Sequence, residues 1–364
     1  MKVYFRVDAS DLIGCGHVMR CLSLADELKR RGLSIVFLCR ELQGNLIDLI
    51  EKMDYSVYRL PYMEESFGVT NKHTKYTGWL NVDWQTDANQ VLSILENEGH
   101  DVDWLIVDHY ALDNQWEEQF RFIVKKIMVI DDLANRCHYC DLLLDQNLYE
   151  NIQGRYNDLV PSYCQKLLGS NYALLRCEFR ELRKRIKEHK GAIRHILVFF
   201  GGSDLTNDTL KTLKAIASLK CLDFSVDIVI GINNPYKHAI EELASNMSRV
   251  TCHFDVCNMA ELMLATDICI GAAGVSVWER CCLGLPSLVI TVAENQVAAV
   301  EYMARKDLLY YVGESHNTSY QDIKKIVEYF LNHPERLKHY SKVSYELVDG
   351  LGTQRCADTI LAYN

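Results

Sequence analysis

The residues with the clearest chemical capacity stand at the ends of apolar runs. The opening run Lys2–Asp8 closes on a carboxylate, and the loop Ala9-Ser10-Asp11-Leu12-Ile13-Gly14-Cys15-Gly16 then delivers His17 to the first turn of an amphipathic segment. Glycines let a backbone approach a ligand closely. An imidazole in the first helical turn feels the positive end of the helix dipole, and Arg20, one turn on, adds a second positive charge; both disfavour the imidazolium. The expected role of His17 is a neutral general base, the alternative being a histidine that merely caps the helix.

Three more strand-like runs end in polar groups: Trp104-Leu105-Ile106-Val107 runs into Asp108-His109-Tyr110, Ile130 into Asp131-Asp132, and Leu144 into Asp145-Gln146-Asn147. An isolated Asp-His at a strand end reads equally as a structural hydrogen-bonded pair. Four such ends in one half of the chain form the pattern of a pocket.

The second half carries glycine-rich loops. Phe199-Phe200-Gly201-Gly202-Ser203-Asp204 runs from a strand through two glycines toward a helix start, where backbone amides could cradle a phosphate. It lacks the Lys-Ser/Thr of the Walker sequence and the third glycine of the dinucleotide fingerprint. Gly271-Ala272-Ala273-Gly274-Val275-Ser276-Val277-Trp278-Glu279 is followed by Gly284-Leu285-Pro286 and Glu294-Asn295-Gln296. Small residues starting a helix leave amides free for a diphosphate at Gly274, Val275 and Ser276. Glu279, one turn in, can accept both hydroxyls of a ribose. Helix–sheet packing, which also uses Ala and Gly, is the alternative.

The elements that must position these loops alternate between β-branched runs and amphipathic segments, the pattern of a parallel sheet wrapped by helices. Strands are expected at Lys2–Asp8, Ile35–Cys39, Trp104–Asp108, Ile127–Asp131 and Leu142–Asp145, then at Ile193–Phe200, Val226–Ile230, Ile268–Gly271 and Leu288–Val292. Helical segments include Thr209–Leu219 and Asn258–Ala265. The expected architecture is α/β, two doubly wound Rossmann-like domains facing each other across a cleft: residues 1–175, a linker at 176–192 read as a solvated helix and hinge, and residues 193–364, with C-terminal helices packing back on the first domain. The stretch from about Pro61 to Thr86 is weakly periodic and reads as a flap.

Length supports two domains, and composition narrows the function. The chain has 364 residues, 49% of them hydrophobic, and a net charge of −10 without a long basic run, so its field would repel a polyanion; nucleic acid is not an expected partner. The amino terminus lacks the apolar stretch of a signal peptide, and no run approaches the ~18 apolar residues of a spanning helix, so a cytoplasmic, non-inserted protein is expected. A monomer is the working expectation, though nothing in the sequence fixes the oligomeric state. Fourteen cysteines then read as reduced core thiols. Cys137-His138-Tyr139-Cys140 and Cys252-His253 with Cys257 have zinc-like spacing, but neither completes a ligand pattern, and no metal or cofactor is expected.

The second-domain stretch resembles the nucleotide-binding motif of GT-B glycosyltransferases. Together with Gly14-Cys15-Gly16-His17-Val18-Met19-Arg20-Cys21, Asp108-His109-Tyr110, Asp131-Asp132, Leu168-Gly169-Ser170-Asn171-Tyr172-Ala173-Leu174-Leu175-Arg176 and Phe200-Gly201-Gly202-Ser203-Asp204, the order of motifs is similar to the PseG family of pseudaminic acid biosynthesis, from the first strand to about Met303. The resemblance implies a hydrolase in which water displaces UDP from the anomeric carbon of a UDP-2,4-diacetamido-2,4,6-trideoxy sugar. His17 would be the base, and Asp8, Gly16, Arg20, Asp108, His109, Tyr110 and Asn147 would meet sugar or water. It implies UDP held by Gly202, Ser203, Gly274, Val275, Ser276, Glu279, Asn295 and Gln296. The alternatives are a GT-B transferase that passes the sugar to a hydroxyl acceptor, a hydrolysing 2-epimerase of UDP-N-acetyl sugars, and a non-catalytic UDP-sugar binding protein.

Overall fold

The computed structural model describes residues 1–63, 76–99, 102–219, 223–231, 233–254 and 256–363. The chain divides into two units, the first of Met1–Asn147, Asn151–Leu174 and Thr353–Asn364, the second of Leu148–Glu150 and Leu175–Gly352.

The first unit is built on seven parallel strands, β1 (Lys2–Val7), β2 (Ser34–Arg40), β3 (Ser56–Leu60), β4 (Val102–Asp108), β5 (Val124–Ile130), β6 (Leu142–Asp145) and β7 (Gln165–Leu168), in the order β3-β2-β1-β4-β5-β6-β7. Its helices are α1 (Gly16–Arg30), α2 (Ile47–Lys52), α3 (Trp84–Asn97) and α4 (Asn114–Glu118). β1 is covered on both faces. Val3, Phe5 and Val7 join one apolar core with Val18, Cys21, Leu22 and Leu28 of α1, while Tyr4 joins another with Val91 and Leu95 of α3 and Trp116 of α4. Arg6, on the Tyr4 face, is therefore fully buried, and it is neutralised by Asp8 at 2.7 Å and Asp87 at 2.7 Å.

The second unit has six parallel strands. In chain order its elements are α5 (Cys177–Arg183), β8 (His195–Phe199), α6 (Asp208–Ala217), β9 (Ser225–Ile230), α7 (Lys237–Ser245), β10 (Val250–Phe254), α8 (Met259–Leu264), β11 (Ile268–Ala272), α9 (Ser276–Cys282), β12 (Ser287–Thr291), α10 (Glu294–Arg305), β13 (Tyr310–Glu314), α11 (Tyr320–Asn332) and α12 (Pro334–Leu347). The sheet order is β10-β9-β8-β11-β12-β13. The last helix, α13 (Gly352–Ala362), contributes Cys356, Ala357 and Ile360 to the core of the first unit.

Each sheet has one place where the direction of strand progression reverses, between β1 and β4 in the first and between β8 and β11 in the second. At such a point the loops leaving the two neighbouring strands run to opposite faces and open a crevice at their carboxyl ends. Residues 9–15 and Asp108-His109-Tyr110 stand at the first reversal, and residues 200–207 and 273–275 at the second.

Two sequence expectations are corrected. Residues 176–192 are not a solvated helix and hinge: only Cys177–Arg183 is helical, Phe179 and Leu182 are buried, and Arg183 donates to the carbonyls of Cys282 at 2.6 Å and Tyr345 at 2.7 Å. The dense charge of this segment hides an apolar face that fastens it into the second unit. Within the stretch read as a flap, residues 64–75 lie outside the described residues, whereas Thr77–Leu80 is a 3-10 helix with buried Leu80, and α3 follows, its amide at Thr86 capped by Asp83 at 2.7 Å.

Candidate active site

In the first unit the loop after β1 is closed by the Gly14 amide on the Ser10 carbonyl at 2.8 Å and by the Ile13 amide on Ser10 Oγ at 3.0 Å, with Gly14 in the left-handed region at φ +79°. This turn sets His17 in the first turn of α1. No side chain caps that helix, so the capping reading of His17 is excluded. Its Nδ1 instead lies 2.6 Å from Asp108 Oδ1, at the end of the neighbouring strand β4.

Asp108 has a second partner on the same helix. Arg20 grips it with both arms, Nε to Oδ2 at 2.6 Å and Nη2 to Oδ1 at 2.7 Å, and reaches Asp132 Oδ2 with Nη1 at 2.7 Å. Tyr110 Oη donates to the same Asp132 oxygen at 2.6 Å. Burial alone would push the Asp108 carboxyl up, but Arg20 and then His17 overcome it and hold it well below the usual carboxylate range. An ionised carboxylate only accepts, so Nδ1 of His17 must carry the hydrogen, which leaves Nε2 of a neutral ring with its lone pair. Among the described residues nothing hydrogen-bonds to Nε2.

The imidazole is also walled in. Tyr110 meets it edge-on with ring centroids 4.6 Å apart, and Trp79, stacked on Tyr110 at 5.4 Å, stands 6.1 Å away. Trp79 and Asp132 are participants the sequence did not assign to the site. Asp132 was visible as one of a strand-end pair, but Trp79 falls in the stretch with no readable period.

Asp8 and His109 are placed differently from expectation. Asp8 is spent inside the sheet, accepting from the Arg40 amide at 2.7 Å and pairing with Arg6, whose buried guanidinium needs the charge. His109 accepts from the Ala111 amide at 3.1 Å through Nδ1 and turns Nε2 toward Asp8 Oδ2 at 3.4 Å. Burial pushes its imidazole down to about 4, with Asp8 countering in part. Neither is brought to the His17 cluster. Asn147 is half-buried, and its amide donates to Asp145 Oδ1 at 3.0 Å; Gly16 opens α1 beside His17. Asp131 binds Arg136 at 2.7 Å and the Ala134 amide at 2.8 Å, so of that pair only Asp132 joins the cluster. Burial and then the charge of Asp132 push the Asp145 carboxyl up to about 8.

In the second unit, Gly271 lies one residue before the end of β11, where a Cβ would collide with the Phe199 carbonyl oxygen of β8. Beyond it Gly274 is exposed, Val275 takes the N-cap position of α9, and no side chain caps that helix at Ser276. Glu279 is held by Arg176, whose Nη2 donates to Oε1 at 3.0 Å while Nη1 pairs with Glu178 at 2.9 Å. The helix start expected directly after Gly201-Gly202 is corrected: α6 begins only at Asp208, and the Asp204 carboxylate takes the amides of Asp208 at 2.9 Å and Thr209 at 3.0 Å. Gly202 gives its carbonyl to the Asn233 amide at 3.2 Å, and Ser203 is half-buried. Asn295 is half-buried in the first turn of α10, and Gln296 Oε1 accepts from the Val292 amide at 3.0 Å.

The cysteine–histidine segments go to separate partners. His138 Nδ1 meets Glu117 at 2.6 Å, Cys140 Sγ lies 3.6 Å from Cys164 Sγ, and His253 Nε2 meets Asp227 at 2.8 Å. Among the described residues no group of three or more His, Cys, Asp or Glu side chains is arranged to hold a metal ion, and no helix is long and apolar enough to cross a membrane.

Two parallel Rossmann-like sheets of this kind are the GT-B fold, and solved structures agree. The chain superposes on MurG of Acinetobacter baumannii with a TM-score of 0.64 at 14% identity, covering 99% of each chain. UDP-GlcNAc 2-epimerase of Neisseria meningitidis gives a TM-score of 0.64 at 15% identity over 100% of each. Residues 196–348 match the glycosyltransferase family 28 C-terminal domain. Among more specific relatives, the chain is 28% identical over 307 residues to the UDP-2,4-diacetamido-2,4,6-trideoxy-beta-L-altropyranose hydrolase of Campylobacter jejuni, 84% of this chain and 97% of that protein. It is 24% identical over 359 residues to an uncharacterized protein of Methanocaldococcus jannaschii, covering 96% of this chain but only 66% of that protein's length.

Proposed function

We propose that this protein hydrolyses a UDP-activated 2,4-diacetamido-2,4,6-trideoxy sugar in nonulosonic acid biosynthesis, releasing UDP by attack of water at the anomeric carbon. The observation that carries the reading is the His17–Asp108 pair, which fixes the tautomer that leaves Nε2 as a proton acceptor. Nε2 takes a proton from water, the water oxygen bonds to the anomeric carbon, and the bond from that carbon to the diphosphate oxygen breaks with its electrons leaving on UDP. Asp108 stabilises the imidazolium as it forms, and Arg20 keeps Asp108 ionised and in place. The uncapped start of α9 offers amides to the diphosphate, and Glu279 offers its carboxylate to the ribose. The hydrolase relative in C. jejuni supplies the sugar class.

A transferase that uses a hydroxyl acceptor is the second reading, favoured by the match to the family 28 C-terminal domain. Incubation of the purified protein with the UDP-sugar alone in oxygen-18 water separates the two. Rapid UDP release with the label on the sugar supports hydrolysis at carbon. Label on UDP means phosphorus attack and sinks the mechanism, and negligible release until an acceptor is added favours the transferase.

A further inference from the structure

Buried guanidiniums in this protein have carboxylate partners: Arg6 and Arg40 share Asp87, Arg20 holds Asp108 and Asp132, and Arg136 holds Asp131. Arg280 breaks the pattern. It is fully buried on α9, with its guanidinium turned back beneath the end of β11, where Nη2 donates to the Ala272 carbonyl at 2.8 Å and Nη1 lies 3.6 Å from Cys269 Sγ. Nε has no hydrogen-bond partner, and among the described residues no carboxylate lies within ion-pairing distance of the group.

A guanidinium is charged at any physiological pH, and burying it without a counter-charge is costly, since a carbonyl and a thiol satisfy hydrogens but not the charge. The backbone makes room for this arrangement. A Cβ at Gly271 would lie 2.7 Å from Arg280 Nη1, so the glycine lets the cation sit flush against the strand end. Ala272, whose carbonyl it grips, is the last strand residue before the loop Ala273-Gly274-Val275.

We infer that Arg280 is a positioning residue for the diphosphate, a cation held under residues 272–276 whose counter-charge is the ligand itself. The inference rests on the UDP-sugar reading above. Through Ala272 the side chain fixes the loop, and its field, only partly screened because the guanidinium is buried, favours a dianionic group on the loop's outer side.

The test is calorimetric binding of UDP and of uridine to the full chain and to Arg280→Met and Arg280→Lys, with thermal denaturation of each in the absence of ligand. Arg280→Met should weaken UDP by about 10- to 30-fold, the scale of one partly screened charge interaction, and leave uridine unchanged. Arg280→Lys should keep UDP binding within about threefold of the parent, because the charge remains. Without ligand the methionine variant should be at least as stable as the parent. Equal losses for UDP and uridine, no loss for either, or a methionine variant that does not fold would each overturn the inference by assigning the guanidinium to the fold alone. A parent chain that binds neither UDP nor uridine instead removes the nucleotide reading itself, an outcome distinguishable from the others before any variant is made.

Discussion

His17 Nδ1 and Asp108 Oδ1 stand 2.6 Å apart across the one junction of the first sheet where strand order reverses. The first is set by a turn at the carboxyl end of β1 and the second by the end of β4, so the pair depends on the register that places Val7 beside Asp108. His17→Ala should lower UDP release by about 10²- to 10⁴-fold while UDP still binds. Asp108→Asn should cost a similar factor of about 10²–10⁴ in kcat with little change in KM, because the amide permits the wrong tautomer. Steady-state kinetics beside UDP calorimetry checks both, and an undiminished rate in either variant removes His17 as the base.

Glu279 is predicted to act on ribose and Arg176 to aim it. Loss of charge-assisted hydrogen bonds to ligand hydroxyls costs about 1.5–3 kcal/mol, so Glu279→Ala should raise the Kd for UDP by about 10- to 100-fold. The same substitution should leave the weaker binding of 2′,3′-dideoxy-UDP unchanged. Equal sensitivity of both ligands would assign Glu279 to packing.

The Arg6–Asp87–Arg40 cluster predicts a stability effect without a binding effect. Burial would push the Asp87 carboxyl up, but Arg6 and then Arg40 hold it down at about 2, and Trp116 Nε1 adds a hydrogen bond at 3.0 Å. Asp87→Ala leaves buried guanidiniums without their shared anion and should cost about 3–5 kcal/mol in chemical denaturation. Asp87 belongs to the first unit and the glycine loops to the second, so UDP affinity of the folded fraction should be unaltered.

Two buried groups should tilt the dependence of stability on pH in opposite senses. His109, ordinarily near 6.5, is held at about 4 in the fold, so the unfolded chain binds more protons between those values and stability falls as pH drops from about 6.5 to about 4. Asp145, ordinarily near 3.8, is raised to about 8, so the fold binds more protons and its contribution is lost as pH rises from about 4 through about 8. Denaturation midpoints across pH should show His109→Gln reducing the acid-side loss and Asp145→Asn reducing the alkaline-side loss. A variant whose profile stays parallel to the parent's shows that its group does not titrate in that window.

What the sequence revealed follows from burial. Every strand read from it (β1, β2, β4, β5, β6, β8, β9, β11 and β12) is interior to its sheet and densely apolar. The unread strands β3, β7, β10 and β13 are the four sheet edges, where one side has no neighbouring strand and the residues are less fully buried and mixed in polarity, as in Gln165-Lys166 and Val250-Thr251-Cys252-His253. Polar residues at strand ends marked His17, Arg20, Asp108 and Tyr110, which the structure brings together. The same signal also drew in Asp8 and His109, because a carboxylate or imidazole beside a buried guanidinium looks, in sequence, like one beside a ligand. Arg280 was invisible for a related reason: its neighbours Cys281 and Cys282 announce a buried helix, in which a lone cation is expected to snorkel outward, and here it turns in.

The return of α13 has a consequence for biogenesis. Cys356, Ala357 and Ile360 complete the interior of the unit that also contains β1. During synthesis that unit waits for this helix while Leu175–Gly352, the long segment of the other unit, emerges from the ribosome with all that unit's strands. The portion made first is thus the portion finished last, and its apolar surface stays open for the longest time.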